Sequence, residues 1–174
     1  MEKGRLNKIT DVPGVRVGHV TRHEGDINTG VTAILPHTGD MFHDKCPAAS
    51  HVINGFGKSI GLVQVNELGT IETPLLLTNT LSVGTAATAL VKYMLERNAD
   101  IGCDTGTVNP MVFECNDGHL NDIRGLHVTE QNALDALANA ADDFEEGAVG
   151  AGSGMSCYSL KGGIGSASRV FELY

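Results

Sequence analysis

The sequence predicts an α/β fold in which short strands rich in branched aliphatic residues are interleaved with two helices. Three observations carry this reading. Apolar runs of strand length, among them VTAILP at 31–36 and PLLLTNT at 74–80, are bounded by glycine and proline. Two later stretches repeat apolar side chains at intervals of three and four, which gathers them on one helix face. Aromatic residues make up only 5% of the 174 positions, with no tryptophan, while glycine numbers 22. The core must therefore be built from Val, Ile, Leu and Ala, with backbones brought close together.

Taken in order, residues 9–21, ITDVPGVRVGHVT, read as a strand interrupted by a Pro-Gly turn. Within it Val15, Val17 and His19 alternate with Arg16 and Gly18. Residues 31–36 are a second strand ended by proline, and the polar stretch 37–50 is a long loop. Residues 59–67, SIGLVQVNE, and 74–80 read as buried strands bounded by Gly69 and Pro74. Thr80 or Ser82 then caps a helix along which Val83, Ala86, Ala87, Leu90, Val91 and Met94 recur, with Asn98 and Gly102 past its end. Residues 107–114, TVNPMVFE, return as a strand, and 115–122 turn. A second helix starts at Thr129, with Glu130 in its first turn, and buries Ala133, Leu134, Leu137 and Ala140. Its alanine-rich face suits close approach to a sheet. Residues 148–152, AVGAG, and 168–174, SRVFELY, are strand-like; the second reads equally as an isolated last strand or as part of an unfinished sheet. There is no internal repeat, interdomain linker or low-complexity tract, so residues 1–174 read as part of one domain.

The composition narrows the function classes. A net charge of −9 without any run of Lys or Arg argues against a nucleic-acid partner. No apolar stretch is long enough to cross a membrane, and the polar opening MEKGRLNK is unlike a signal peptide, so the expectation is a cytoplasmic protein without a membrane partner. Cys46, Cys103, Cys115 and Cys157 are widely spread and form no C-x-x-C pair; free, mostly buried thiols are expected, with no metal and no organic cofactor. The acidic run 142–146, DDFEE, reads as a solvated end.

The most unusual segment is 150–169, GAGSGMSCYSLKGGIGSASR. It lacks the lysine register of a phosphate loop and the last glycine of a dinucleotide fingerprint. Its serines would need a neighbouring base to become nucleophiles, and chain cleavage before a serine supplies one, because the new α-amine lies beside the hydroxyl. Gly152-Ser153 and Gly165-Ser166 are conceivable cut points, but the pieces they free are too short to carry much of a site. Turn and packing roles fit these serines better. His19 and His23, four apart, share one face, and His119 and His127 flank residues 120–126; no metalloprotease spacing or nucleophile elbow accompanies them. Glu114 ends an apolar run, Met111–Phe113, and enters a turn containing Asp117 and Gly118. A carboxylate so placed can bind a cationic group such as a substrate amine, or it can serve as a cap or salt-bridge partner.

Four blocks then stand in a recognisable order: TDVPGVRVGH at 10–19, ETPLLLTNTLSVG at 72–84, ECNDGHLNDIRG at 114–125, and the glycine-rich segment 150–169. Together they resemble the DmpA-like family of N-terminal-serine hydrolases, which includes L-aminopeptidase/D-esterases and β-peptidyl aminopeptidases. The resemblance runs from about Leu6 to Tyr174.

That resemblance implies a four-layer αββα sandwich, of which this chain is an incomplete N-terminal (α-chain) part. It implies a precursor that cleaves itself before a serine, a C-terminal β-chain partner from the same precursor, and assembly of αβ heterodimers into a homo-oligomer. The implied reaction removes the N-terminal residue from small peptides, amides or esters through an acyl-enzyme. No catalytic residue is expected in this chain, because the nucleophile falls C-terminal to Tyr174. By position, Glu114 matches the glutamate that binds the substrate's amino terminus. Asn116 falls where some members carry tyrosine or tryptophan, and asparagine cannot supply a phenolic hydroxyl or a large ring. Asn79, in TNT at 78–80, matches a motif beside the cleft and is assigned a positioning role. Within this frame the segment 150–169 is packed scaffold, and Lys161 and Arg169 are available for acidic partners outside the chain. Two alternatives are a related amidase acting on biosynthetic, pantetheine-like amides that lack a free amine, and a non-catalytic binding subunit.

Overall fold

A computed structural model describes residues 1–172. In chain order its elements are β1 (Glu2–Lys3), β2 (Arg16–Glu24), β3 (Ile27–Leu35), β4 (Cys46–Pro47), α1 (Leu62–Leu68), β5 (Thr70–Ile71) and β6 (Leu75–Asn79). They continue with α2 (Val83–Arg97), β7 (Met111–Cys115), α3 (Glu130–Ala138), β8 (Ser156–Cys157), β9 (Leu160–Lys161) and β10 (Arg169–Val170). The α/β class is as the sequence predicts.

One mixed sheet organises the chain, in the order β2–β3–β6–β7. β2 and β3 form an antiparallel hairpin whose register runs from Arg16 opposite Leu35 to Glu24 opposite Ile27. β6 lies antiparallel to β3 and parallel to β7, with α2 making the crossover that a parallel pair requires. Both long helices cover the same face of the sheet. Val31, Ala33, Leu76 and Val112 from the strands share one buried cluster with Ala86, Ala89 and Leu90 of α2 and Ala133, Ala136 and Leu137 of α3. Burying each of the larger side chains contributes about 1.5–3 kcal/mol. The alanines allow the helices to lie close, and Gly18 allows more: a Cβ there would come within 2.2 Å of the Ala136 carbonyl oxygen and 2.6 Å of the Ala140 nitrogen.

The helix ends follow their sequence signals, with one difference. Thr129 caps α3 through a capping box, its hydroxyl accepting from Asn132 N while the Asn132 side chain accepts from Thr129 N. At α2 neither Thr80 nor Ser82 caps with its side chain. The 3-10 turn Thr80–Ser82 precedes the helix, and Asn79 caps that turn by accepting from Ser82 N at 3.0 Å.

Several expectations are corrected. Residues 59–67 do not form a strand: Ile60 makes one bridge to Val112, and α1 begins at Leu62. Gly61 has φ of 100° and Gly69 of 66°, so left-handed glycines at both ends turn a short apolar run into a helix that buries Gln64 and Val65. Residues 148–152 are not a strand either. Gly150, at φ of 51°, opens a 3-10 turn over Gly150–Gly152. The first predicted strand starts at Arg16, and residues 9–11 form a 3-10 turn. Of the predicted strand 168–174, Arg169 and Val170 pair with β1; Leu173 and Tyr174 lie outside the described residues. The cysteines are free, but Cys103, Cys115 and Cys157 are exposed and Cys46 is only half-buried, because each sits at a strand end or in a loop.

The sheet face opposite the helices receives the turn at 150–152. Gly150 N donates to Thr21 Oγ1 at 2.8 Å, and Ala151 N to Thr32 Oγ1 at 3.1 Å. Gly30 permits the approach, since a Cβ there would meet the Gly150 carbonyl oxygen at 2.6 Å. Gly150–Met155 of the glycine-rich segment is thus packed scaffold, whereas residues 156–169 are half-buried or exposed, with Tyr158 and Leu160 open to solvent. Lys161 Nζ bonds the carbonyls of Gly152 and Gly162, and Arg169 bonds Asn7 Oδ1 and the Ser168 carbonyl. At the other end of the sheet, buried Glu72 ties the approaches to β6 and β7 together. Its Oε1 accepts from Asn109 N and Nδ2, and its Oε2 from Lys45 Nζ at 2.5 Å. Burial pushes the Glu72 carboxyl up, but the Lys45 and Asn109 hydrogen bonds outweigh it and hold the group below the usual range.

Candidate active site

Parallel strands bring their carboxyl ends to one edge, and ligands of α/β sheets bind beyond that edge. β6 ends at Asn79 and β7 at Cys115, with Thr78 beside Glu114 and Asn79 beside Cys115. Candidate residues distant in sequence therefore meet at one place.

Glu114 is half-buried and held from both sides. Thr80 Oγ1 donates to its Oε2, and Lys58 N donates to its Oε1 at 3.1 Å. A carboxylate with two fixed donors cannot swing freely, yet each oxygen keeps lone pairs for a further donor. Beside it a cleft of about 360 Å³ is lined by Leu77, Phe113, Cys115, Met155, Cys157 and Ile164 together with Glu114 itself. An apolar cleft with one oriented carboxylate suits a small organic cation.

Asn79 is buried, and its side chain is already engaged. Besides capping Ser82 N, it donates from Nδ2 to Thr29 Oγ1 at 2.9 Å. Thr29 in turn donates to Asp117 Oδ2 at 2.6 Å, and Asn121 Nδ2 donates to Asp117 Oδ1 at 3.1 Å. This buried chain joins the end of β6, the start of the α2 turn and the turn after β7. It anchors the residue before Thr80 and ties in the Asp117 turn that follows β7. Asn116 is exposed, and its Oδ1 accepts from Gly118 N at 2.9 Å, which bends the loop back on itself. The structure thus brings Asn79 and Glu114 to one strand edge, with Asn116 in the loop that follows.

Sequence reasoning missed Thr80, Lys58 N and the Thr29–Asp117–Asn121 chain. No local pattern marks them, because the crossover and the β3 register create those contacts.

The Thr80 hydroxyl donates to Glu114, and Ser156 and Cys157 line the cleft with it; the nucleophile-type side chain that follows Glu114 in β7 is Cys115. Although the residue is exposed as a whole, its thiol is partly shielded from water; that shielding pushes it up, and the neighbouring Glu114 charge adds to it, so it stays protonated near neutrality and is a poor attacking group. Among the described residues, no three His, Cys, Asp or Glu side chains converge as metal ligands would.

The model for "Peptidase family S58" matches residues 7–174. The β-peptidyl aminopeptidase BapA of Sphingosinicella microcystinivorans is 41% identical over 98% of this chain and 44% of its own length. Among solved structures, the PH0078 protein from Pyrococcus horikoshii OT3 is 57% identical, with a TM-score of 0.96 over 98% of this chain and 51% of that one. The L-aminopeptidase D-Ala-esterase/amidase of Ochrobactrum anthropi, described as a prototype of the serine aminopeptidases and a variant of the Ntn-hydrolase fold, is 37% identical. Its TM-score is 0.82 over 91% of this chain and 47% of that one. The chain spans about half the length of the relatives it matches. A family match across residues 7–174, together with the order of the four sequence blocks, leads to one conclusion: the chain belongs to peptidase family S58, the DmpA-like group of hydrolases.

Proposed function

We propose that this chain builds the amine-recognising side of a serine aminopeptidase/amidase site whose nucleophile arrives on a second polypeptide. The observation that carries the reading is Glu114, a carboxylate oriented by Thr80 and Lys58 N at the mouth of an apolar cleft. In this reading the free ammonium of a small peptide, amide or ester pairs with Glu114. That contact fixes the substrate's first residue, so its carbonyl lies at a set distance from the carboxylate. A serine that begins the second polypeptide attacks this carbonyl, and the serine's own α-amine takes the hydroxyl proton. The α-amine passes that proton to the amine or alcohol as its bond to the carbonyl breaks, then takes a proton from the water that releases the acyl group and returns it to the serine. Hydrogen-bond donors from the second polypeptide stabilise the tetrahedral oxyanion. Asn79 acts at one remove, by positioning Thr80.

The share of the relatives' length that this chain spans supports a partner segment following Tyr174 in a common precursor. Strands from the partner would complete the remaining layers of an αββα sandwich while leaving the Glu114 cleft open at the strand ends, and αβ pairs would assemble further in the cytoplasm. Intact-mass analysis of the native assembly tests the two-chain reading. A second polypeptide beginning with Ser or Thr, labelled at that residue by a serine-acylating reagent, is the expected result. An active assembly containing only this chain contradicts it.

A further inference from the structure

We infer that a cavity between the loop 37–41 and the last turns of α2 binds a free amino acid with an apolar side chain, taking its carboxylate on Arg97 and its ammonium beside Asp40. The cavity, of about 290 Å³, opens where β3 ends at Leu35 and Pro74 leads into β6. That is the edge of the sheet opposite the one at which β6 and β7 bring Asn79 and Glu114 together. Leu35, Met41, Pro74 and Met94 give it an apolar wall. Its volume limits a ligand to a small molecule, about one amino acid in size.

The charges around this cavity do not cancel one another. The Arg97 guanidinium lies 3.5 Å over the Tyr93 ring and donates from Nη1 to the Tyr93 carbonyl at 3.1 Å. Among the described residues no carboxylate pairs with it. The group is thus oriented, and its remaining N–H donors are unused. Asp40 supplies the opposite charge. It accepts from Phe42 N at 3.0 Å and pairs with His43 at 2.7 Å, but His43 also pairs with Asp100 at 2.9 Å. One imidazole between two carboxylates leaves negative charge over. Asn98, 4% exposed, spends its Nδ2 on the Met94 carbonyl, so its Oδ1 is available to a donor. The negative end of the α2 dipole favours a cation at the same place. His37 adds no charge: its Nδ1 accepts from Gly39 N at 3.0 Å, which leaves Nε2 as the N–H that donates to the Asp44 carbonyl. An unpaired cation and an excess anion over an apolar wall match a ligand that carries both charges and an apolar side chain. A plain carboxylate would face Asp40 without compensation, and a plain amine would face Arg97.

The test is calorimetric titration of the complete two-chain enzyme, carrying Glu114→Gln so that an amine bound at the strand ends does not contribute. The probes are L-leucine, 4-methylpentanoate, which lacks the amine, and 3-methylbutylamine, which lacks the carboxylate; none of the three can be hydrolysed. L-Leucine is expected to bind, and each single-charge analogue to bind about tenfold more weakly or worse, as the loss of one charged hydrogen-bonding group implies. Adding Arg97→Gln should weaken L-leucine by a similar factor, and Arg97→Lys by less, which separates a lost charge from a damaged fold. Binding that disappears on Glu114→Gln alone overturns the cavity and places the amino acid at Glu114. Equal affinity for L-leucine and 3-methylbutylamine, or no effect of Arg97→Gln, overturns the assignment to Arg97.

Discussion

Replacing Asn79 by alanine separates a positioning residue from one that touches substrate. The side chain makes two buried hydrogen bonds, from Ser82 N to its Oδ1 at 3.0 Å and from its Nδ2 to Thr29 Oγ1 at 2.9 Å. Thr29 keeps its bond to Asp117 after the substitution, so its loss is partial. Ser82 N loses its acceptor in a place where water has little access, since Ser82 is 2% exposed. Loss of such a cap costs about 0.5–2 kcal/mol, and an unsatisfied buried donor costs about 1–3 kcal/mol. These describe the same vacancy and are not summed, so the expected destabilisation is about 2 kcal/mol. For a cooperative unit of this size that lowers Tm by about 4–8 °C. Asn79→Asp keeps the acceptor for Ser82 N but sets a carboxylate oxygen against Thr29 Oγ1, whose proton is committed to Asp117. It should therefore be less stable than Asn79→Ala. Thermal melts of the complete protein, with kcat/KM measured well below Tm, check both variants. Full stability in Asn79→Ala together with a large loss of kcat/KM would refute this reasoning and make Asn79 a substrate contact.

Two further outcomes follow from the structure. His43 bridges Asp40 and Asp100 at 2.7 and 2.9 Å, and these hydrogen bonds, with Asp40 the stronger influence, raise the imidazole while lowering both carboxyls. The raised His43 stabilises below its unfolded pKa and loses that contribution as pH rises through the folded value; the lowered aspartates stabilise above their unfolded pKa and lose it as pH falls. The Tm difference between wild type and His43→Gln should thus be largest in weakly acidic, low-salt buffer and should shrink toward about pH 9 or with added salt; a difference constant with pH would contradict the bridge. Gly18→Ala drives a Cβ into the backbone at the C-terminal end of α3, against the Ala136 carbonyl oxygen and the Ala140 nitrogen just past the helix, neither of which can rotate away. A loss of about 2–3 kcal/mol in denaturant titration is expected, at the upper end for overpacking, and a neutral result would contradict the helix–sheet spacing.

Much of the scaffold was legible because local chemistry and long-range packing agree there. Thr129 and Asn132 form a capping box visible as T-x-x-N, and the alanines of α2 and α3 keep helical spacing whatever they pack against. The run 59–67 was not legible, since short apolar stretches look alike as strand or helix until Gly61 and Gly69 adopt positive φ. The hairpin turn escaped for the opposite reason. His23, Glu24, Asp26 and Asn28 are too polar to suggest a strand, yet backbone pairing carries β2 and β3 through to Glu24 and Ile27. At the site, Glu114 stood out as an acid ending an apolar strand. The groups that orient it come from residues 58 and 80, and only the β6–α2–β7 crossover and the loop before α1 bring them to it.

The claim on which the rest depends is that Glu114 recognises a free amine. The direct measurement is kcat/KM for Glu114→Gln and wild type in the complete enzyme, on an amino-terminal amide and on the same amide with its nitrogen acetylated. Glutamine keeps the size and an oxygen to accept from Lys58 N, and its amide nitrogen can donate to Thr80 Oγ1 once that hydroxyl turns to accept, but it removes the charge. The account predicts a loss of about a hundredfold or more on the free-amine substrate, consistent with about 3 kcal/mol for one desolvated ion pair, and little change on the blocked one. Equal losses on both substrates, or none on either, would contradict it.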